Sequence, residues 1–296
     1  MKKNINIFPN NFNLTLYKLN NLDLENFNEN ELLNNYINHG ISEGRTCNEI
    51  NSRNDLSLLI PNDYNCLEIG PFDCPVLKGN NIKYFDVLNQ QQLIERAKKI
   101  NRIQNINNIP YIHYYDNQAN LKIINEQFNL ILSCHCIEHQ VNFIKHLNDV
   151  NNLLLSNGYY VIICPDKRYC FDHYIKESTI ADILNMDTNS TRHSLKSVIE
   201  HRVLVTHNDP IRHWNNDHGI QRLNDPKFDY MLLFAINEYN NEKEYIDVHS
   251  LQFTPQSFEQ IINILEKNNL INFYIDKVYP TKKYSNEFIV ILRKKN

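Results

Sequence analysis

From residue 56 onward, short apolar runs alternate regularly with amphipathic stretches, and this alternation limits the fold of the chain more than any other feature. Apolar runs predict buried strands, whereas apolar residues repeating every three or four positions predict helices. We predict helices near 90–99, 143–154 and 255–267, and strands near 65–69, 82–85, 111–114, 128–133, 159–165, 271–278 and 287–292. We expect Asn157-Gly158 to end the second helix. The pattern predicts an α/β fold with a doubly wound, mostly parallel sheet that closes with an antiparallel C-terminal hairpin.

The alternation lapses between residues 166 and 250, a segment rich in histidine, aspartate, arginine and aromatic residues. It has helical patches near 178–186 and 228–239. Because the segment follows the carboxyl end of a predicted strand, we predict an insertion that forms a lid over that edge of the sheet, where a substrate would bind.

Residues 1–55 are predicted to form a small helical appendage, and residues 56–296 the main domain. Asn28 can cap a helix that Gly40 would end. The segment 31–45 resembles a short module found in glycan-building proteins. The alternative is a helical pair that packs on the main domain.

Composition narrows the class of protein. With a net charge of −4, the chain is not expected to be a general nucleic-acid binder. Its 7 cysteines suit reduced thiols better than a disulfide framework. No signal peptide follows Met1-Lys2-Lys3, and no apolar run reaches membrane-spanning length. We therefore expect a cytoplasmic protein without a membrane span, and the choice between monomer and homodimer stays open.

The run Cys66-Leu67-Glu68-Ile69 ends at Gly70-Pro71, which predicts a tight loop after a buried strand. In a parallel sheet this is where nucleotide-like ligands lie, and glycine lets the backbone approach them. Asp86 follows the next strand, 16 residues after Gly70, where a carboxylate can accept hydrogen bonds from ribose hydroxyls. Its alternative role is a helix cap. Asp116 follows the third strand, where an adenine could be met, although Asp-Asn is also ordinary turn chemistry.

Together with 128–139 and 153–159, these residues resemble the class I S-adenosylmethionine-dependent methyltransferases. The most similar branch has a Ser-x-His-x-x-Glu-His strand end, here 133–139, and a Pro-Asp-Lys-Arg-Tyr-x-Phe-Asp segment, here 165–172. That branch is often associated with glycan biosynthesis. The resemblance covers about 56–175 and 254–293, and a Rossmann dehydrogenase would instead need Gly-x-Gly-x-x-Gly, which is absent.

The resemblance implies a Rossmann-like fold with S-adenosylmethionine as the cofactor. The residues expected around the cofactor are Glu68, Gly70, Pro71, Asp86, Asp116, Cys134 and His135. The chain departs from the pattern where Pro71 and Phe72 follow Gly70, since such loops often carry further glycines.

Methyl transfer to a hydroxyl requires an aligned acceptor and removal of its proton, for which histidine is suited near neutral pH. The catalytic candidates are His139, Asp166, His201 and His207. The histidine-rich run from 201 to 218 has three readings. It is a polar lid whose histidines bind one another, a substrate pocket with a histidine base, or a site where histidine and aspartate hold a divalent metal.

We predict no metal ligands at Cys134-His135-Cys136-x-x-His139, because alternate residues of a strand face opposite sides. Cationic residues of the insertion can bind a phosphate or carboxylate of the acceptor, and its aromatic rings can stack on a sugar. The acceptor-binding candidates are Lys167, Arg168, Tyr169, Asp172, Arg202, His213, Trp214, His218 and His249.

The predicted function is O-methyl transfer to a small-molecule acceptor, a sugar, sugar nucleotide or surface-glycan precursor. Two alternatives stay open. One is a metal-assisted hydrolase that uses the histidine-rich insertion, and the other is a catalytically degenerate methyltransferase fold that serves as a binding protein.

Overall fold

The computed structural model describes residues 12–47, 49–50, 52–243 and 245–296. The start of the chain, on which the expectation about a signal peptide depends, lies outside the described residues. The chain divides into two compact units, residues 1–62 and residues 63–296. Among the described residues, no helix combines the length and the apolar character needed to cross a membrane. The seven cysteines form no disulfide.

The first unit is helical. Its helices are α1 (Leu14–Asn20), α2 (Glu29–Asn35), α3 (Ile41–Glu43) and α4 (Arg53–Leu58), with a π-helical turn over Tyr36–Gly40. The predicted cap is present, since Asn28 and Glu31 form a capping box at the start of α2. The predicted stop at Gly40 is wrong, because the helical segment continues to Gly44, where φ reaches +65°. A Cβ at Gly40 would lie 2.5 Å from Tyr17 Oη, so glycine is needed there for packing.

The second unit is built on a seven-stranded sheet with the order β3-β2-β1-β4-β5-β7-β6. The strands are β1 (Cys66–Ile69), β2 (Ile82–Asp86), β3 (Tyr114–Tyr115), β4 (Phe128–Cys134), β5 (Leu154–Pro165), β6 (Phe273–Tyr279) and β7 (Glu287–Lys294). The pairs along β3-β2-β1-β4-β5 are parallel, and β7 is antiparallel to both β5 and β6. The mostly parallel, Rossmann-like sheet predicted from the sequence is confirmed.

Helices cover both faces of this sheet. The helices of the second unit are α5 (Gln90–Lys99), α6 (Phe143–Leu153), α7 (Ile180–Leu184), α8 (Leu195–Val203), α9 (Pro210–Trp214), α10 (Phe228–Asn241) and α11 (Pro255–Lys267). Phe85 of β2 packs in a cluster with α6 and α11 residues such as Phe143 and Phe258. The adjacent Tyr84 packs in a different cluster with Leu93 of α5. Since neighbouring strand residues face opposite sides, the sheet is doubly wound.

The sequence reading failed at the start of β5. We expected Asn157-Gly158 to end a helix, but β5 begins at Leu154 and both residues lie within it. Asn157 adopts φ +60°, and the β4–β5 register shifts between Phe128 and Leu130, which marks a bulge. A turn-like pair therefore bends a strand here. The strand β3 is also shorter and later than predicted.

The segment from 166 to 250 holds α7 to α10, and its described residues form no strand of the sheet. Val198, Val203 and Ala235 are buried together, so α8 and α10 form a small core of their own. The end of the segment returns to the sheet, since the carbonyl of Glu138 accepts hydrogen bonds from the amides of Ser250 and Leu251.

Candidate active site

The loop after β1 is held in a fixed shape by Glu68. This carboxylate is fully buried and accepts hydrogen bonds from the amides of Val76 and Leu77, at 2.9 and 2.8 Å. Gly70 adopts φ +71°, and its amide donates to the carbonyl of Phe85 at 2.8 Å. Pro71 accepts a hydrogen bond from the amide of Cys74. Glu68 thus shapes the loop, and Gly70 presents bare backbone at its start.

A cleft of about 500 Å³ opens where β1, β2 and β4 end. Of the residues predicted from sequence, Gly70, Asp86, His135 and His139 line it. The strand order places β1 between β2 and β4, so the chain reverses its direction across the sheet at this point. Ligands of open α/β sheets bind at such a switch point.

Asp86 lies at the end of β2 with 7% of its surface exposed. Its Oδ1 accepts a hydrogen bond from the amide of Leu88 at 3.2 Å, but the cap of the following helix α5 is Asn89, not Asp86. Burial raises the pKa of Asp86 to about 6, against the lowering effect of the Leu88 and Val87 amides and of Arg96. At neutral pH the group is therefore mostly an ionised hydrogen-bond acceptor at the cleft.

Asp116 does not line the cleft but orders the loop that does. Its Oδ1 accepts hydrogen bonds from the amides of Gln118 and Asn120, at 2.9 and 3.1 Å. Its own amide donates to the carbonyl of Asp86. The residues 118–122 that follow form one wall. These hydrogen bonds are those of a turn, the alternative role of Asp116.

His139 is the one catalytic candidate that lines the cleft. Its Nδ1 lies 3.0 Å from Oδ1 of Asp247, and its Nε2 lies 3.7 Å from Oε1 of Glu138. Burial opposes a charge on the ring, but Asp247 and Glu138 outweigh it and raise the pKa of His139. Asp247 also pairs with Arg96. His135 has φ +49°, and its Nε2 lies 2.9 Å from Glu287.

His201 is not at the cleft. Its Nδ1 accepts the backbone amide of His249 at 3.0 Å, and burial and the neighbouring His249 lower its pKa to about 3. A ring of such low basicity, with one nitrogen occupied, is a poor general base. His249 is buried, and its Nδ1 lies 2.6 Å from Oδ2 of Asp172.

His207 belongs to a group of four stacked rings, which we call the histidine stack: His173, His207, His213 and His218. The ring centroids of His173 and His218 are 3.7 Å apart. Nδ1 of His213 lies 3.0 Å from Nδ1 of His218, and Nε2 of His207 lies 2.9 Å from the carbonyl of Asp217. None of the four lines the cleft. The stack fits the reading of a lid whose histidines bind one another.

The side chains of the segment after β5 form hydrogen bonds with other residues of the chain. Asp166 is fully buried and accepts hydrogen bonds from the Arg168 guanidinium and from Thr281. Lys167 donates to the carbonyl of His173. These contacts make Asp166 a structural anchor of this segment, and its catalytic role stays a prediction.

The predicted sugar-stacking rings lie against each other. The rings of Tyr169 and Trp214 are parallel, with centroids 3.9 Å apart, and Trp214 Nε1 donates to the carbonyl of Ser285. Arg202 pairs with Glu238. None of the nine acceptor-binding candidates lines the cleft, and Cys134 does not line it either. Their roles stay predictions.

Sequence reasoning missed much of the cleft. The insertion contributes Thr188, Asn189, Ser190, Thr191, Tyr245 and Asp247, and the first turns of α6 contribute Lys145, His146 and Asp149. The first four of these insertion residues look like an ordinary polar turn in the sequence. Asp247 could have been found, since it stands two positions before a histidine already singled out.

Comparison of the sequence with protein-family models and with curated proteins finds no match. Among solved structures, the chain is similar to an S-adenosylmethionine-dependent methyltransferase from Clostridium acetobutylicum, with 13% identity over 78% of this chain and 84% of that one, at a TM-score of 0.38. It is also similar to the CcbJ methyltransferase from Streptomyces caelestis, with 11% identity, 77% and 88% coverage and a TM-score of 0.37. The mitomycin 7-O-methyltransferase MmcR is similar with 10% identity over 92% of this chain and 60% of that one, at a TM-score of 0.38. Similarities this distant do not establish the activity of the chain.

Proposed function

We propose that the chain transfers a methyl group from S-adenosylmethionine to an acceptor bound in the cleft. The observation that carries the proposal is that Gly70 and Asp86, at the ends of adjacent parallel strands, line the same cleft. The bare backbone at Gly70 permits close approach of the cofactor. In this proposal the Asp86 carboxylate accepts hydrogen bonds from the two ribose hydroxyls.

The rest of the cleft suits an adenosine-sized ligand. Apolar side chains of Phe72, Leu93, Leu121 and Val141 line it beside the polar groups of Asp86. A few fixed polar groups in a largely apolar cleft are the usual composition of a cofactor site. A degenerate, binding-only fold predicts a collapsed or empty cofactor cleft, and a volume of about 500 Å³ speaks only against a collapsed one.

In the proposed reaction an acceptor oxygen attacks the methyl carbon in line with the C–S bond. As the O–C bond forms, the C–S bond breaks, the sulfur keeps the electron pair and becomes a neutral thioether, and the oxygen loses its proton. Alignment of the two reactants is the main contribution of the protein. We expect the proton to leave at the part of the cleft lined by His139, since the other catalytic candidates lie outside the cleft.

We further propose a polyhydroxylated acceptor, a sugar or glycan precursor. Hydroxyl and amide side chains of Thr188, Asn189, Ser190 and Thr191 line the cleft. Such groups can donate to and accept from several hydroxyls of one ligand. The resemblance of segment 31–45 to a module of glycan-building proteins points the same way.

Calorimetric titration with S-adenosylhomocysteine, the demethylated product, tests the cofactor assignment. We expect binding to the unaltered chain and a loss of about 10- to 100-fold in Asp86→Ala, because charge-assisted hydrogen bonds to the ribose disappear. Asp229→Ala, an exposed acid on α10, is the matched control and should bind normally.

Two results would contradict the proposal. Absence of heat at near-millimolar ligand would refute S-adenosylmethionine as the cofactor. Equal affinity of the unaltered chain and Asp86→Ala would refute the ribose contact alone.

A further inference from the structure

Two histidines and a glutamate from distant parts of the chain converge beside the cleft. Glu138 and His139 follow β4, and His249 lies at the end of the insertion. Oε1 of Glu138 lies 3.7 Å from Nε2 of His139 and 3.6 Å from Nε2 of His249. One donor atom from each of the three residues lies within 4.8 Å of the other two.

Among these three residues, Glu138 stands out because its carboxylate is buried without a hydrogen bond to any described residue. It is fully buried, and neither of its oxygens has a hydrogen-bond partner among the described residues. Burying a carboxylate is costly unless it is paired with hydrogen-bond donors or binds a metal. Separations of 3.6 and 3.7 Å are too long for hydrogen bonds.

The same separations fit two ligands of one ion. Metal–ligand bonds of about 2.1 Å at tetrahedral angles place ligand atoms ~3.4 Å apart. The observed distances need only small side-chain adjustments to meet that value.

Each imidazole also has a carboxylate beside its second nitrogen, hydrogen-bonded to it in His249 and in close contact with it in His139. Nδ1 of His249 lies 2.6 Å from Asp172, and Nδ1 of His139 lies 3.0 Å from Asp247. Such a carboxylate keeps the proton on Nδ1 and leaves the Nε2 lone pair for a metal. Both Nε2 atoms lie within 3.7 Å of Oε1 of Glu138, so a cation that displaces the imidazole protons can contact all three groups.

The local charge supports a cation. Three carboxylates, Glu138, Asp172 and Asp247, lie around the two imidazoles, and Arg96 pairs with Asp247. Arg202 is engaged by Glu238. The pocket therefore holds more negative than permanent positive charge.

We propose that Glu138, His139 and His249 bind a divalent transition metal of the zinc class, with Asp172 and Asp247 orienting the imidazoles. Two imidazoles and one carboxylate are the donor set of such ions with open positions, whereas Mg²⁺ and Ca²⁺ prefer oxygen ligands. The sequence reading favoured no metal ligands, because it weighed 134–139 and the insertion separately.

Two other clusters of potential ligands, one in the histidine stack and one at Cys134, His135 and Glu287, fit a metal less well. In the histidine stack, Nε2 of His213 bonds to the carbonyl of His207 and its Nδ1 to His218. Near Cys134, Nε2 of His135 is already bonded to Glu287. These nitrogens are satisfied without an ion.

Because His139 lines the cleft, the metal would lie at its wall. It can polarise the acceptor hydroxyl and ease loss of its proton. That role rests on the proposed function, whereas metal binding does not.

Titration of chelator-treated protein with Zn²⁺, followed by calorimetry, tests the site. We expect one equivalent to bind and the thermal midpoint to rise. Glu138→Gln should lower the affinity at least 100-fold. Asp172→Asn should lower it about 10- to 100-fold, since second-shell carboxylates have effects of that size. His173→Gln, which removes a ring of the histidine stack, is the matched control and should bind Zn²⁺ normally.

Circular dichroism and S-adenosylhomocysteine titration on the same samples check folding and separate the two proposals. Failure of the unaltered, folded chain to bind one equivalent of Zn²⁺ would overturn the metal site even if the cofactor product binds. Loss of Zn²⁺ in His173→Gln but not in Glu138→Gln would also overturn it, because the ion would then lie in the stack. Zn²⁺ binding without any product binding would support the metal site and refute the cofactor assignment.

Discussion

Asp86 and Asp247 are two aspartates on one cleft whose pKa values move in opposite directions. Burial raises the pKa of Asp86 to about 6, since only backbone amides and the more distant Arg96 counter it. Burial acts on Asp247 as well, but His139 and Arg96 hold its pKa well below the usual range. Position relative to cationic partners, rather than burial alone, decides which carboxylate keeps its charge.

At the residue scale we predict that Asp86→Asn stabilises the protein at pH 7.5. A raised folded-state pKa means that the native state binds the proton more tightly, so stability falls as pH rises from about 4 through about 6. Removing the ionisable group should increase the free energy of unfolding by about 3 kcal/mol at pH 7.5. Urea unfolding at pH 7.5 and at pH 4 measures it. A gain that is equal at both pH values would contradict the titration account.

At the element scale, sequence periodicity located elements well wherever local signals and packing agreed. The helices at 90–99 and 255–267 match α5 and α11, because an Asn or Thr cap precedes each and an apolar stripe follows. Sequence periodicity failed at Asn157-Gly158, where an Asn-Gly pair indicates a helix end but both residues lie within β5. A Cβ at Gly158 would lie 2.9 Å from the carbonyl oxygen of Leu155 and 3.2 Å from that of Asn129. Long-range packing, which a local pattern does not contain, selects the glycine.

We therefore expect opposite effects from two adjacent substitutions in β5. Gly158→Ala should destabilise the protein by about 1–3 kcal/mol, because the added carbon meets backbone atoms that cannot easily move. Asn157→Gly should be neutral or stabilising by up to about 1 kcal/mol, because φ +60° costs a residue with a Cβ. Thermal unfolding of both variants measures this. A harmless Gly158→Ala would show that the bulge is not tightly packed.

At the scale of the whole molecule, the site is assembled across long stretches of sequence. The strand-end residues Gly70 and Asp86 could be predicted, since parallel strands bring their carboxyl ends to one edge. The partners of His139 could not, because the 246–253 segment reaches Glu138 only through the folding of the insertion. The same folding keeps His207 and Trp214 away from the cleft, which composition alone could not reveal.

This assembly predicts a pattern of amide hydrogen exchange. Bound S-adenosylhomocysteine should slow exchange in two segments far apart in sequence, 118–122 and 188–191, since both line the cleft. Residues 216–221, which lie outside it, should exchange unchanged. Mass-spectrometric exchange with and without the product measures this. Protection confined to 216–221 would place the ligand at another surface.

The stacked pair Tyr169 and Trp214 has an optical consequence. Trp214 is the only tryptophan of the chain, and it bridges α9 to the loop before β7 through its bond to Ser285. All indole emission therefore originates at this junction between the insertion and the sheet. A change in fluorescence during gentle denaturation reports the moment when the insertion detaches, without any label.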